Sequence, residues 1–225
     1  FFMKSNNFLR VIIFCFAVFL TTEAFAAPLT RQEASLWAED KGNRLLAAFA
    51  EDNLAVKYEE LDNLFLSYVD LDYVAQFVVG KYWKVMTTNE KTEYRQLFRR
   101  YALGMYKGFP LKFNYPIKFQ IVKTVVNGDN ADVTAQIHFE GAPQDEALQN
   151  LLLSFKLHKG TDGLKIRDLK LAESSLILSY RNKFYQMIAA DDGEISWFLE
   201  DFRLQIESLE RTNQLRLEGK YPYNA

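Results

Sequence analysis

The segment IKFQIVKTVVNGDNADVTAQIHF, residues 117–139, switches the apolar period of the chain to two. Ile117, Phe119 and Ile121 alternate with Lys118 and Gln120. Past Asn127-Gly128-Asp129-Asn130, the residues Val133, Ala135, Ile137 and Phe139 alternate with Asp132, Thr134, Gln136 and His138. Successive side chains of a strand point to opposite faces, so each run has one apolar and one polar side. An Asn-Gly pair between two such runs marks a tight hairpin. The reading is a pair of antiparallel strands covered on one face only.

The same period continues downstream. Leu151, Leu153, Phe155 and Leu157 alternate with Ser154, Lys156 and His158, and Thr161-Asp162-Gly163 turns the chain into a fourth strand, Leu164 to Leu171. Ile166 and Leu169 cannot share a face of a regular strand, so a bulge or bend is expected near Asp168. On both sides of the strands the period is helical. Upstream, Tyr94, Leu97, Phe98, Tyr101, Ala102 and Met105 form one stripe opposite Glu93, Arg95, Gln96, Arg99 and Arg100. Thr87 and Glu90 have the spacing of a capping box at its start, as do Thr30 and Glu33 before an earlier helix running to Asp52. Helices are also expected over about Leu54 to Tyr68 and from Asp70 to Gly80. Downstream, Ile177, Tyr180, Phe184 and Ile188 form a further stripe, and Ile195, Phe198, Phe202 and Ile206 another. Helices, then four strands, then helices predict an α+β fold. N- and C-terminal helices would pack on the concave face of a curved four-stranded antiparallel sheet.

The first 26 residues read as a secretory leader. Met3 is the expected start, Lys4 and Arg10 make the positive end, and Val11–Leu20 is uninterruptedly apolar. Ala24-Phe25-Ala26 has the small-x-small pattern of a cleavage site, and the apolar run is too short to span a bilayer, which takes about 20 residues. Residues 1–26 are therefore read as a signal peptide, residues 27–225 as a single exported domain, and the location as periplasmic. The only cysteine, Cys15, lies in the leader, so the mature part holds no disulfide and no thiolate-bound metal. The chain has 27 basic and 29 acidic residues, a net charge of −2. That balance argues against binding to a phosphate backbone, so no nucleic-acid partner is expected. Apolar types make up 49% and aromatics 15%, at a mean hydropathy of −0.18. This describes a protein with large side chains inside it, whether they fill a core or line a cavity.

Catalytic signatures are missing. No G-x-S-x-G, Walker loop, G-x-G-x-x-G or H-E-x-x-H occurs. His138 and His158 are the only histidines, and both fall on polar strand faces. A two-histidine surface site is conceivable, but exposed strand histidines are the simpler reading, and neither metal nor cofactor is expected. Asp168 lies at the phase change, where a bulge could turn it inward as a base of raised pKa, although a hydrogen bond beside the kink is the plainer role. Asp191-Asp192-Gly193 reads as a helix boundary. Arg99, Arg100, Lys107 and Lys112 could meet a phosphate headgroup, against the default of a solvated helix face.

Two stretches go beyond patterning. Asp72-Tyr-Val-Ala-Gln-Phe-Val-Val-Gly-Lys-Tyr-Trp83, followed by Thr87 and the Phe98 helix, resembles the signature of the MlaC family of periplasmic phospholipid-binding proteins. So does Asp162-Gly163-Leu-Lys-Ile-Arg-Asp168, followed by Ser175-Leu176 and Tyr180-Arg181-Asn-Lys-Phe184. The chain departs from the family pattern at Leu164, Arg167 and Ala172-Glu173-Ser174, where strand four meets the next helix. The resemblance implies an NTF2-like cone and a non-catalytic phospholipid shuttle that maintains lipid asymmetry of the outer membrane. Its partners would be an outer-membrane lipoprotein–porin complex and an inner-membrane ABC transporter with an MCE-domain protein.

Such a role has a physical basis. Exposing an acyl chain of about 15 methylenes to water costs roughly 12 kcal/mol, which an apolar interior removes. The tails are expected between the sheet and the helices. On the helices the candidates are Phe77, Tyr82, Phe98, Tyr101 and Met105, then Tyr180, Phe184 and Ile188. On the sheet they are Phe119, Ile121, Ile137 and Phe139, then Leu153, Phe155, Leu157 and Ile166. The alternatives are a lipid-free periplasmic adaptor or chaperone, and a cone-fold enzyme using Asp168 as base.

Overall fold

A computed structural model describes residues 27–108, 115–141, 151–171 and 174–221. Helix α1 spans Arg31–Ala50, α2 Leu54–Tyr68 and α3 Leu71–Val79, with a 3-10 turn at Gly80–Lys84 and α4 at Thr88–Tyr106. Strands β1 Ile117–Asn127, β2 Asn130–Phe139, β3 Leu151–Gly160 and β4 Gly163–Leu171 follow, then β5, Ser174–Ser175. Helices α5, Leu176–Ala190, and α6, Ile195–Leu217, close the chain. The expected leader, Pro110 and Lys112 lie outside the described residues.

Local chemistry sets these boundaries. Thr87 accepts from the Glu90 N–H while the Glu90 carboxylate accepts from the Thr87 N–H, a complete capping box. At α1 the exchange is half made: Thr30 caps the helix, but Glu33 reaches Lys159 on β3 at 3.0 Å. Asn53, Asp70 and Ser175 cap α2, α3 and α5.

The mixed helix and antiparallel sheet class is as expected, and two details of the expected fold are corrected. Among the described residues the sheet is open and five-stranded, in the order β1-β2-β3-β4-β5, rather than the four strands of an NTF2-like cone. The extra strand is short because Ser174 and Ser175 pair with Leu171 and Lys170 just before α5 begins, too few residues to show alternation in sequence. The helices also divide their work. α1 packs along β1 and β2, α5 touches β4, and α6 packs on α4 instead of on the sheet.

The side chains consequently form two apolar cores. In the helical core Tyr94, Phe98, Tyr101, Phe184, Phe198 and Phe202 pack ring against ring. Phe184 and Phe202 have centroids 5.2 Å apart, edge to face, and the buried Tyr94 hydroxyl donates to the Ala75 carbonyl at 3.0 Å. In the sheet core Phe119, Val133, Ala135, Phe155, Leu157 and Leu164 are covered by Leu29, Ala34 and Ala38.

Two bulges tune the sheet. Leu157 pairs with Ile166 and Lys156 with Asp168, so Arg167 is the extra residue and the phase change read at this point is real. The second lies between Ile121 and Lys123, where Val122 is extra. It moves the inward phase of β1 to Thr124 and Val126, and the Thr124 hydroxyl meets that of Ser35 on α1 at 2.7 Å.

Phe202→Ala, at a fully buried site, should cost about 3–5 kcal/mol in urea unfolding. Leu36→Ala, on the exposed side of α1, should change stability by less than about 0.5 kcal/mol.

Candidate functional site

α1 approaches the sheet through small residues. Ala34, Ala38 and Gly42 recur every fourth position, on one face of a helix, and all are buried. A Cβ added to Gly42 would lie 2.7 Å from the Phe119 ring. The helix therefore rests directly on the apolar face of the sheet. Where it rises from that face, Leu46, Ala47 and Ala50 with Tyr115, Pro116 and Ile117 line a cleft of about 560 Å³. Ile117 begins β1, two residues before Phe119 of the sheet core.

A second cleft, of about 520 Å³, opens at the other end of the strands, between the α2–α3 junction, α4 and the β3–β4 turn. Among its lining residues are the apolar Leu66, Val69, Leu71 and Phe98. The charged ones include Asp70, Asp72, Arg95, Arg99, Lys165 and Arg167. Arg167 pairs with Asp70 at 2.8 Å, and Arg95 lies 3.5 Å from Asp72. The Asp70 N–H donates to the Ile166 carbonyl at 2.9 Å, tying the α2–α3 junction to β4. This cleft thus reaches the seam where the two cores meet.

The candidate lipid-contacting residues fall on both sides of that seam. Phe98, Tyr101, Phe184 and Ile188 are buried in the helical core, with Phe77, Tyr82, Met105 and Tyr180 packed against it. Phe119, Phe155 and Leu157 are buried in the sheet core, with Ile121, Ile137, Leu153 and Ile166 beside them. Phe139 is half-buried at the end of β2. Sequence reading set the helical group across the whole apolar face of the sheet; α1 covers β1 and β2 instead, and the helical group meets the sheet at β4 through α3 and α5. Sequence reading placed Ala34 and Ala38 on the apolar stripe of this helix with Trp37, Leu45 and Phe49, but missed Gly42 and the close approach it permits. Its signal was present, as small residues at i, i+4 and i+8 on the face that Leu45 and Phe49 continue.

Asp168 is buried, and both its oxygens are engaged. It accepts from the Ser175 hydroxyl at 2.7 Å and from the Ile177 N–H at 3.2 Å, fastening the β4 bulge to the start of α5. It lines neither cleft. The two-histidine site is overturned by register. His158 pairs with Asn130 at one end of β2, and His138 lies eight residues away, about 27 Å at strand rise. Of the bases considered for a headgroup, Arg100 is held by Glu210 at 2.7 Å and Lys107 by Asp62 at 2.8 Å, while Arg99 lines the seam cleft.

Burial also shifts tyrosines of the helical core. Tyr101 and Tyr180 are pushed up to about 12, and Tyr94 is raised well above its usual 10.0.

An open antiparallel sheet clad by helices, with small clefts at either end, one apolar and the other largely charged, defines an α+β domain with two candidate sites. The chain belongs to the MlaC protein family, whose sequence profile matches residues 41–201. Among solved structures it is similar to a phospholipid-binding protein from Ralstonia solanacearum, determined in complex with a phospholipid. The two share 18% identity and superpose with a TM-score of 0.60 over 77% of this chain and 98% of that one. No curated protein matches.

Because these tyrosines are neutral in the folded protein, their contribution to stability is complete below pH 10 and lost as pH rises through 12. Tyrosinate absorbance should therefore appear in two steps, the second coinciding with loss of near-ultraviolet circular dichroism.

Proposed function

We propose that this protein is a periplasmic carrier that shields the acyl chains of a phospholipid while it crosses between membranes. Membership in the MlaC family and the likeness to a phospholipid-binding protein support binding of phospholipid. The observation that carries the reading further is the cover of the sheet. Its Phe, Leu and Ile side chains are roofed by a helix whose closest approach is made by Ala34, Ala38 and Gly42, flanked by Trp37 and Leu46.

Acyl chains enter from the cleft beside Leu46 and Ile117 and spread over Phe119, Ile121, Ile137 and Phe155 as α1 lifts. The core on the other side of the seam, with Phe98, Tyr101 and Phe184, gives the moving parts a rigid wall. Replacing hydrocarbon contacts with hydrocarbon contacts keeps the exchange near balance, so a partner at either membrane can tip it. Those partners would be the outer-membrane lipoprotein–porin complex and the inner-membrane ABC transporter with its MCE-domain protein. Maintenance of outer-membrane lipid asymmetry is the corresponding role. None of these steps makes or breaks a covalent bond, and Asp168 acts as a structural tie.

A staple tests the entry route. Ser35 and Thr124 hold α1 to β1 through hydroxyls 2.7 Å apart, and Ser35→Cys with Thr124→Cys places two thiols within reach of each other in a mature chain without cysteine. The oxidised double variant, stripped of lipid, should take up no phospholipid from vesicles, and reduction should restore uptake. Equal uptake by the oxidised and reduced forms would contradict the route.

A further inference from the structure

The two stretches that carry the family signature meet on the outside of the protein. Residues 72–83 supply Tyr73, Phe77, Lys81 and Tyr82, Arg167 comes from the β4 bulge, and α5 supplies Arg181 and Tyr185. Lys81, Arg181 and Tyr185 are not among the lipid candidates, and neither they nor Tyr82 line either cleft. They form a ladder in which cations and rings alternate. The Arg167 guanidinium lies 4.3 Å from the Tyr73 ring, Tyr73 stacks on Phe77, and Arg181 lies 5.1 Å from Phe77. Arg181 is also 5.3 Å from the Tyr185 ring, and Lys81 sits 4.9 Å from Tyr82 and 5.7 Å from Tyr185.

The backbone is shaped to this arrangement. Gly80 has φ 49°, a left-handed conformation, and a Cβ there would collide with the Tyr185 hydroxyl and the Arg181 guanidinium. That hydroxyl accepts from the Lys81 N–H at 3.1 Å and from Arg181 Nη2 at 3.0 Å. Burial works against ionising Tyr185, yet these hydrogen bonds and the two positive charges hold its pKa below the ordinary tyrosine value.

The charge on the ladder is largely uncompensated. Arg167 pairs with Asp70, but among the described residues no carboxylate lies in ion-pair range of Arg181, Lys81 or the neighbouring Lys84. This occurs in a chain with more acids than bases. Tyrosine and arginine held in place by stacking are the residues that dominate protein–protein contacts, because little rotamer freedom remains to be lost. A planar guanidinium with free N–H donors matches a carboxylate in a way that a loose ammonium does not. Lys81 and Lys84 also flank the exposed Val85, so a bilayer surface is the competing partner that the vesicle arm of the test separates.

We propose that this ladder, centred on Arg181 and Lys81, is a docking face for an acidic surface of a partner protein. The site itself stands on the ladder alone; only the choice of partner to test rests on the carrier reading.

The test uses the mature chain and two probes: the soluble domain of the MCE-domain protein and that of the outer-membrane lipoprotein from the same genome. Arg181→Glu and Lys81→Glu/Lys84→Glu should each weaken binding to at least one probe by about tenfold or more, with a flattened salt dependence. Lys123→Glu, on exposed β1, should leave binding unchanged. Phospholipid extracted from the variants should equal that of the parent chain. Binding by the parent without any bound phospholipid would sink the carrier reading and leave the docking face standing. The proposal is overturned if the parent binds neither probe, or if folded variants retain full affinity. It is equally overturned if the variants lose binding to phosphatidylglycerol vesicles while keeping both protein contacts.

Discussion

The contact between α1 and the apolar face of the sheet is the constraint on which the remaining architecture depends. Ala34, Ala38 and Gly42 allow the helix to lie so close to β1 that Phe119 leaves no room for a Cβ at position 42. Large side chains at these positions would hold the helix off the sheet. Small ones give a closed surface whose burial is modest, because a leucine or phenylalanine contributes about 1.5–3 kcal/mol when buried and a methyl group much less. Leu29, Trp37 and Leu46 add apolar contact, and the Ser35–Thr124 and Glu33–Lys159 pairs add direction. A cover of this kind can seat firmly and still be displaced by hydrocarbon.

The second core supplies what the first lacks. Around Tyr94 and Phe184 the rings contact one another on several sides, and α4 and α6 run together over most of their length. Such packing resists change in volume and shape. The proposed carrier role needs both properties, a part that yields to its cargo and a part that does not. The carboxylate of Asp168, capping α5 from the β4 bulge, links the sheet to this rigid part.

Much of this was legible in the residues. The change of period at Ile117, the Asn127-Gly128 turn, the capping box at Thr87 and the break of phase before Asp168 each follow from local chemistry, and each stands in the structure. Three features were not legible. The two-residue β5 is too short to show a period, and the bulge at Val122 lies between the doublets Ile121-Val122 and Val125-Val126, which hide its phase. The division into two cores depends on which helix covers which face, a long-range choice that alternation and helical periodicity do not encode. The aromatic candidates were therefore read as one lining when the chain builds two groups from them. Lysine and arginine in the signature stretches carried a further signal. Gly80 is required by the Tyr185 hydroxyl above it, a contact 105 positions away in sequence that only the fold makes visible.

The central claim is that hydrocarbon can replace the contacts beneath α1. Lipid extraction and mass spectrometry of the freshly purified, undenatured protein tests it most directly. The account predicts phospholipid in stoichiometric amount, removed by delipidation and regained from vesicles. Protein that carries no phospholipid when isolated and acquires none from vesicles would contradict it.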